Sequence, residues 1–169
     1  MTIKNKVKIR GFTLVETLVA IAILLLAVVG PISLIGDALH KMYYAKDEII
    51  AINLAQEGVE IARGTRDSNM LAGIAWDTGL GAGDYVVSAN PLTVSIGSYS
   101  GMPQQVFTDP QGYYSQIGGT LTQFKRLVTI SSAGFGANER KLTATVTWST
   151  GGTNGSVSVT EYIFNWATP

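Results

Sequence analysis

Apolar and polar positions are distributed along this chain in three distinct ways. Residues 12–35 form a run of 24 in which Glu16 is the only charged side chain. At about 1.5 Å per residue, a helix of that length crosses the roughly 30 Å hydrocarbon layer of a bilayer. It is expected to begin near Thr13 and to be apolar on every face. Gly30 and Pro31 form a helix break: a proline inside a helix deletes a backbone hydrogen bond and crowds the preceding turn, so a kink is expected there. After Gly36 the pattern becomes amphipathic. Leu39, Tyr43, Ile50, Leu54 and Ile61 recur at steps of 4, 7, 4 and 7 and draw one narrow apolar stripe. Lys41, Lys46, Asp47, Glu48, Glu57 and Glu60 lie mostly off it. Such a stripe suits a coiled-coil seam or a helix lying on a sheet, and the strand-rich remainder favours the sheet. Gly64 is a candidate helix stop, with Arg66 and Asp67 able to extend it by a turn.

The third pattern is period two. Tyr85-Val86-Val87 and residues 92–96 read as short strands, whereas 79–83 and 98–112 read as loop. Residues 124–131 read as a strand. In residues 141–150, Leu142, Ala144, Val146 and Trp148 fall on one side, and Lys141, Thr143, Thr145, Thr147 and Ser149 on the other. That alternation predicts a half-buried strand. Residues 151–155 read as a turn and 156–166 as the returning strand. The fold class is therefore α+β. A long N-terminal helix, transmembrane over 12–36 and amphipathic over 37–66, packs on a C-terminal antiparallel β-sheet head spanning 67–169.

Charge sharpens the membrane reading. Lys4, Lys6, Lys8 and Arg10 all precede the apolar run, and without residues 1–11 the chain keeps 8 basic against 12 acidic side chains. The basic leader favours a cytoplasmic N-terminus and an extracytoplasmic head. The acidic remainder argues against non-specific nucleic-acid binding by the bulk surface, and no specific nucleic-acid partner is expected. No cysteine is present, so an exported head must rely on its core rather than on disulfides.

Glu16 is the residue an ordinary anchor does not explain, because a carboxylate in the hydrocarbon costs on the order of 2.5–3.5 kcal/mol on insertion scales. A secretory signal peptide has a shorter apolar core, followed by its cleavage site. Here the Gly11-Phe12 junction precedes the core. A basic leader, then Gly11-Phe12-Thr13-Leu14-Val15-Glu16 and an apolar helix, resembles the type IV pilins and the pseudopilins of type II secretion. The resemblance implies that prepilin peptidase cuts between Gly11 and Phe12 and methylates the Phe12 amine. It also implies that Glu16 pairs with that amine on a neighbouring subunit, in agreement with the tolerance of a buried carboxylate for an ammonium partner. The implied partners are other pilin subunits in a helical fibre, the inner-membrane assembly machinery, and membrane lipid before assembly. In that family the chain unwinds at a break such as Gly30-Pro31 in some fibres; a fixed bend is the alternative. Leu54-Ala55-Gln56-Glu57-Gly58-Val59-Glu60, with Thr147-Trp148-Ser149, is similar to minor pilins of the PilV kind and to minor pseudopilins. Many relatives close the C-terminal region with a disulfide, a feature this chain lacks.

Other candidates are weaker. His40 is the only histidine and reads as surface, so no His-paired nucleophile or multi-His metal site can form. Asp77 and Asp84 flank a Gly-rich stretch that could offer oxygen ligands to calcium, but a dense acidic ligand pattern is missing and no metal is assigned. Asn154-Gly155-Ser156 fits a glycosylation acceptor and, better, a hairpin turn. Trp76, Trp148 and Trp166 read as core or interface. No pattern implies a cofactor, and the chain reads as a non-enzyme: a structural subunit, minor by its resemblance, of a type IV pilus. The rivals are a minor pseudopilin of a type II secretion system, and a membrane-anchored adhesin or DNA-uptake module that never polymerises. In cells with active prepilin peptidase, mass spectrometry is expected to find the chain starting at methylated Phe12. A bulky residue in place of Gly11 is expected to leave the uncleaved precursor in the membrane.

Overall fold

Helix α1 spans Leu14–Leu71. In the computed structural model, which describes residues 11–90, 93–99, 101–132, 134 and 136–166, it stays helical through Gly30 and Pro31. The leader expected over residues 1–11 lies, apart from Gly11, outside the described residues. The helix also runs past Gly64 and stops at Gly73. There the Gly73 N–H donates to Met70 O (3.1 Å) and the Ile74 N–H to Asn69 O (3.1 Å). Gly73 has φ 70°, and this paired closure is the one a helix makes when its first residue beyond the cap is left-handed. Asn69, buried, then donates from Nδ2 to Trp76 O (3.1 Å) and Thr78 O (2.9 Å), which fastens the following loop to the last turn.

The chain divides into two compact units, residues 1–41 and 42–169. Every described residue of the first is exposed. In the second, α1 buries Asp47, Ala51, Leu54, Ala55, Gly58, Val59, Ile61, Ala62 and Asn69. This corrects the expected stripe. Leu54 and Ile61 lie on the buried face, but Tyr43 is 54 % exposed and Leu39, in the first unit, 47 % exposed. Small residues carry much of the contact instead. Tyr44 rather than Tyr43 turns inward, its ring 5.7 Å from that of Trp148.

Seven strands form one antiparallel sheet: β1 Gly83–Asn90, β2 Thr93–Tyr99, β3 Gln104–Thr108, β4 Tyr114–Ser115, β5 Thr120–Ser132, β6 Glu139–Thr150 and β7 Thr153–Phe164. The last three make the expected meander, with Phe124, Val128, Ile130, Leu142, Ala144, Val146 and Trp148 in the core. β5 is forked. One edge pairs with β6 from Lys125 to Ser132, and the other is shared. β1 takes Val128 to Ile130, and β3 takes Thr120 to Arg126. β3 falls where loop was expected. Only Val106 within it is buried, and a bulge between Gln105 and Phe107 breaks the alternation that would have marked it. The turn expected at 151–155 is shorter: Gly151 (φ 54°) and Gly152 (φ 86°) make a two-residue hairpin, both needing the left-handed backbone. Asn154 and Gly155 already belong to β7.

Two glycines are set by packing. A Cβ on Gly155 would lie 2.3 Å from the Trp148 ring, which stacks across that position from β6. A Cβ on Gly58 would lie 3.0 Å from Val128 Cγ2 and 3.5 Å from Ala144 Cβ, so Gly58 marks where the helix sits closest to the sheet. Gly58→Leu is therefore expected to destabilise the head by about 1–3 kcal/mol through overpacking. Gly64→Leu, where a Cβ meets nothing within 4 Å, is expected to leave thermal melting of the full chain in detergent unchanged or slightly raised.

Candidate functional site

The N-terminal end of α1 is built by Thr13 and Glu16. Thr13 sits one residue before the helix, its carbonyl accepting the first helical bond from Thr17 N (3.1 Å). Its Oγ1 accepts from Glu16 N (3.3 Å), while Glu16 Oε2 reaches back toward Thr13 N (3.5 Å). Thr-x-x-Glu is thus a capping box, which satisfies donors that a helix end otherwise leaves unpaired. The carboxylate also lies at the positive end of the helix dipole. Glu16 is exposed, so lone pairs remain for a second donor.

Gly11 and Phe12 precede the cap, with Phe12 75 % exposed. A Cβ at Gly11 would meet nothing within 4 Å, so the fold imposes no glycine there. A requirement for glycine at Gly11 must then come from whatever binds the junction. Gly30 is equally open, and Ser33 Oγ donates to its carbonyl (2.8 Å) next to the ring of Pro31. Beyond them, Leu18, Ile23, Leu26, Val29, Ile32 and Ile35 are among the large apolar side chains exposed on every side of α1. The helix is long and apolar enough to cross a membrane, and none of its apolar stretch is buried within the chain.

Residues 6–30 match the family model described as the prokaryotic N-terminal methylation motif. The chain carries a prepilin-type N-terminus. The match supports membership of the type IV pilin and pseudopilin family and covers the junction, the cap and most of the apolar run. The match supports a pilin-like substrate of prepilin peptidase and implies assembly with other pilins, and together with the long apolar helix it points to membrane anchoring of the precursor. No curated protein and no solved structure matches the chain.

In the head of this pilin-like chain, the other acidic candidates are occupied. Asp77 Oδ2 accepts from Arg140 (2.6 Å), whose guanidinium also lies 5.4 Å from the Trp76 ring centroid. Asp84 accepts from Thr129 Oγ1 (2.7 Å) and Gly101 N (3.0 Å), tying β1 to β5. His40 is exposed, Trp76 and Trp148 are core, and Trp166 is 63 % exposed. Arg63 bonds Glu161 and Glu60 across the helix and β7, and the Glu161 hydrogen bond holds its guanidinium above the usual range.

Sequence reasoning missed Arg126. It lies on the inward side of β5, between Phe124 and Val128, and has no exposed surface (0 %). Its Nη1 donates to Leu54 O (2.9 Å) and Glu57 Oε2 (2.9 Å), Nη2 to Val87 O (2.7 Å), and Nε to Gln116 Oε1 (3.0 Å). Burial pushes the guanidinium below its usual range, and Glu57 opposes that shift. Gln116 fills the fork of the sheet: Oε1 also accepts from Val87 N (3.2 Å), and Nε2 donates to Arg126 O (3.0 Å) and Gln104 O (3.2 Å). Extending the period-two pattern through Phe124, Val128 and Ile130 exposes the signal, since it sets a cation among core positions. Arg126→Met is expected to cost about 3–5 kcal/mol, because it strands two carbonyls and a carboxylate. Glu57→Gln keeps an acceptor for Nη1 and is expected to cost about 1 kcal/mol in chemical denaturation of the full chain.

Proposed function

We propose that the chain is a structural subunit of a type IV pilus, a minor pilin of the PilV kind. It is cleaved after Gly11, methylated at Phe12, and assembled through residues 12–36. The head of residues 67–169 then lies on the fibre surface. One observation carries this reading: the methylation motif leads directly into an apolar helical half whose large side chains are exposed. Lipid covers that half in the precursor and neighbouring helices cover it in the fibre. The cytoplasmic-membrane precursor, with its N-terminus inside, and the extracytoplasmic fibre are two stages of one chain. Gly30 and Pro31 supply the point where the helix can yield as it moves from lipid to fibre. A pseudopilin shares this N-terminus; immunogold labelling of fibres on the cell surface separates the pilus from it.

The decisive residue is Glu16. In the single chain it caps α1, and in a fibre it also answers the Phe12 ammonium of a neighbour. These roles part on substitution. Glu16→Leu loses both, whereas Glu16→Gln keeps the capping box but not the charge. Removing one partner of a buried ion pair costs about 3–5 kcal/mol, enough to depress incorporation severely. Both variants are therefore expected to be inserted and cleaved yet to enter fibres poorly, measured as the ratio of sheared-fibre to membrane-fraction protein. An unchanged ratio for Glu16→Leu makes the chain a plain anchor. Full recovery with Glu16→Gln reduces Glu16 to a helix cap.

A further inference from the structure

We propose that the outward face of the β5-β6-β7 meander, at its hairpin end, binds a uronic-acid unit of a polysaccharide. This goes beyond the fibre reading and does not depend on it. The strand register lays the face out. Lys125, Thr147 and Ser156 stand opposite one another across β5, β6 and β7, and Ser149 stands opposite Asn154 one step nearer the hairpin. Gln123, two residues before Lys125, falls on the same side of β5. All six line a cavity of about 510 Å³, a volume inside the roughly 300–1,000 Å³ of small-ligand sites.

This end of the face differs from the rest in its free polar groups. On the neighbouring rungs, hydroxyls pair across the strands: Thr145 with Ser158 (2.9 Å) and Thr143 with Thr160 (3.3 Å). The same face and register continue to Thr147–Ser156 and Ser149–Asn154. Yet among the described residues the six cavity side chains make no hydrogen bond and no ion pair. Hydroxyls and amides both donate and accept, which matches a sugar hydroxyl of the same double character. Trp148 also borders the cavity but is 4 % exposed, its ring packed near Tyr44 in the core. No aromatic face is offered for stacking, so recognition rests on hydrogen bonds and charge.

The charge is a single cation. Lys125 is exposed, and no carboxylate lines the cavity. The arginines of residues 42–169 are each bonded to a carboxylate, so this free ammonium stands out in a chain that is acidic beyond residue 11. One lysine balances the one carboxylate of a uronic acid through a charge-assisted hydrogen bond. A nucleic acid repeats its phosphate charge at every step and needs several cations together. Its bases also need the aromatic platform that is missing here. A sugar carboxylate among sugar hydroxyls fits both the lone charge and the neutral groups around it.

The test titrates the full chain in detergent micelles, by calorimetry, with a trisaccharide carrying one glucuronic acid, with its methyl ester, and with a single-stranded oligonucleotide. Saturable binding of the acidic trisaccharide is expected, about fivefold tighter than that of the ester. Lys125→Gln is expected to weaken it about tenfold, Lys125→Arg to keep it within about threefold, and Asn154→Ala to weaken it about fivefold. Melting temperatures are expected to stay unchanged in these variants, because both side chains are exposed. Thr145→Val, on a paired rung outside the cavity, is expected to leave binding as it is. Absence of saturable binding at millimolar trisaccharide overturns the proposal. So does binding that survives both Lys125→Gln and Asn154→Ala, or that is equal for acid and ester. An oligonucleotide bound more tightly than the trisaccharide assigns Lys125 to phosphates and overturns it too. The titration uses unassembled chains, so its failure leaves the pilus reading standing.

Discussion

Arg126 has no solvent to turn to, so each of its donors must end on an acceptor inside the head. Those acceptors belong to α1, to β1 and to the segment before β5. The guanidinium therefore fixes the helix against the sheet at the point where the sheet divides. Gln116 fills the wedge between the diverging strands with both ends of its amide. The small residues of the helix make the arrangement possible: only with Gly58 facing Val128 and Ala144 can the helix backbone come near enough for Leu54 O to meet a side chain from β5. Polar geometry and close packing here are one constraint.

The N-terminal half obeys a different rule. It has no internal core, and its apolar side chains are exposed all round. Its polar groups are satisfied locally, by the Thr13–Glu16 box and by Thr17 and Ser33 hydroxyls that bond carbonyls three residues back. A helix that settles its hydrogen bonds alone can change surroundings without losing its fold, as the proposed passage from lipid to fibre requires. Glu16 serves both the isolated helix and its proposed partner because a carboxylate has more lone pairs than one cap consumes.

Much of this was legible in the residues. The apolar run with its single carboxylate, the period-two alternation of residues 141–150 and the returning strand all survive in α1, β6 and β7. What escaped has physical causes. The stripe from Leu39 to Ile61 was drawn through large residues, whereas the helix packs through Ala51, Ala55, Gly58 and Ala62, which carry little hydrophobic signal. Gly64 looked like a stop, but Gly73 has the two backbone bonds that end a helix. β3 was hidden by its bulge and by Gln105, whose side chain bonds carbonyls of β3 and β5. Asn154-Gly155 resembled a turn, yet Gly155 is glycine because the Trp148 ring lies over it.

The Asp47–Thr150 hydrogen bond (2.6 Å) joins residues 103 positions apart. Asp47 is buried near the start of the head's helix, and its partner is the last residue of β6. A chain that leaves the ribosome N-terminus first presents the helix long before any strand able to cover it. Contacts this distant carry the largest loop-closure entropy and form late. The helix must therefore wait, with Ala51, Leu54 and Ala55 still wet, until β5 and β6 have emerged. The head then closes in a single late step rather than growing segment by segment. Loss of the final hairpin alone takes Ala144, Val146 and Trp148 out of the core that covers the helix, a form of damage that cellular quality control reads readily as exposed apolar surface.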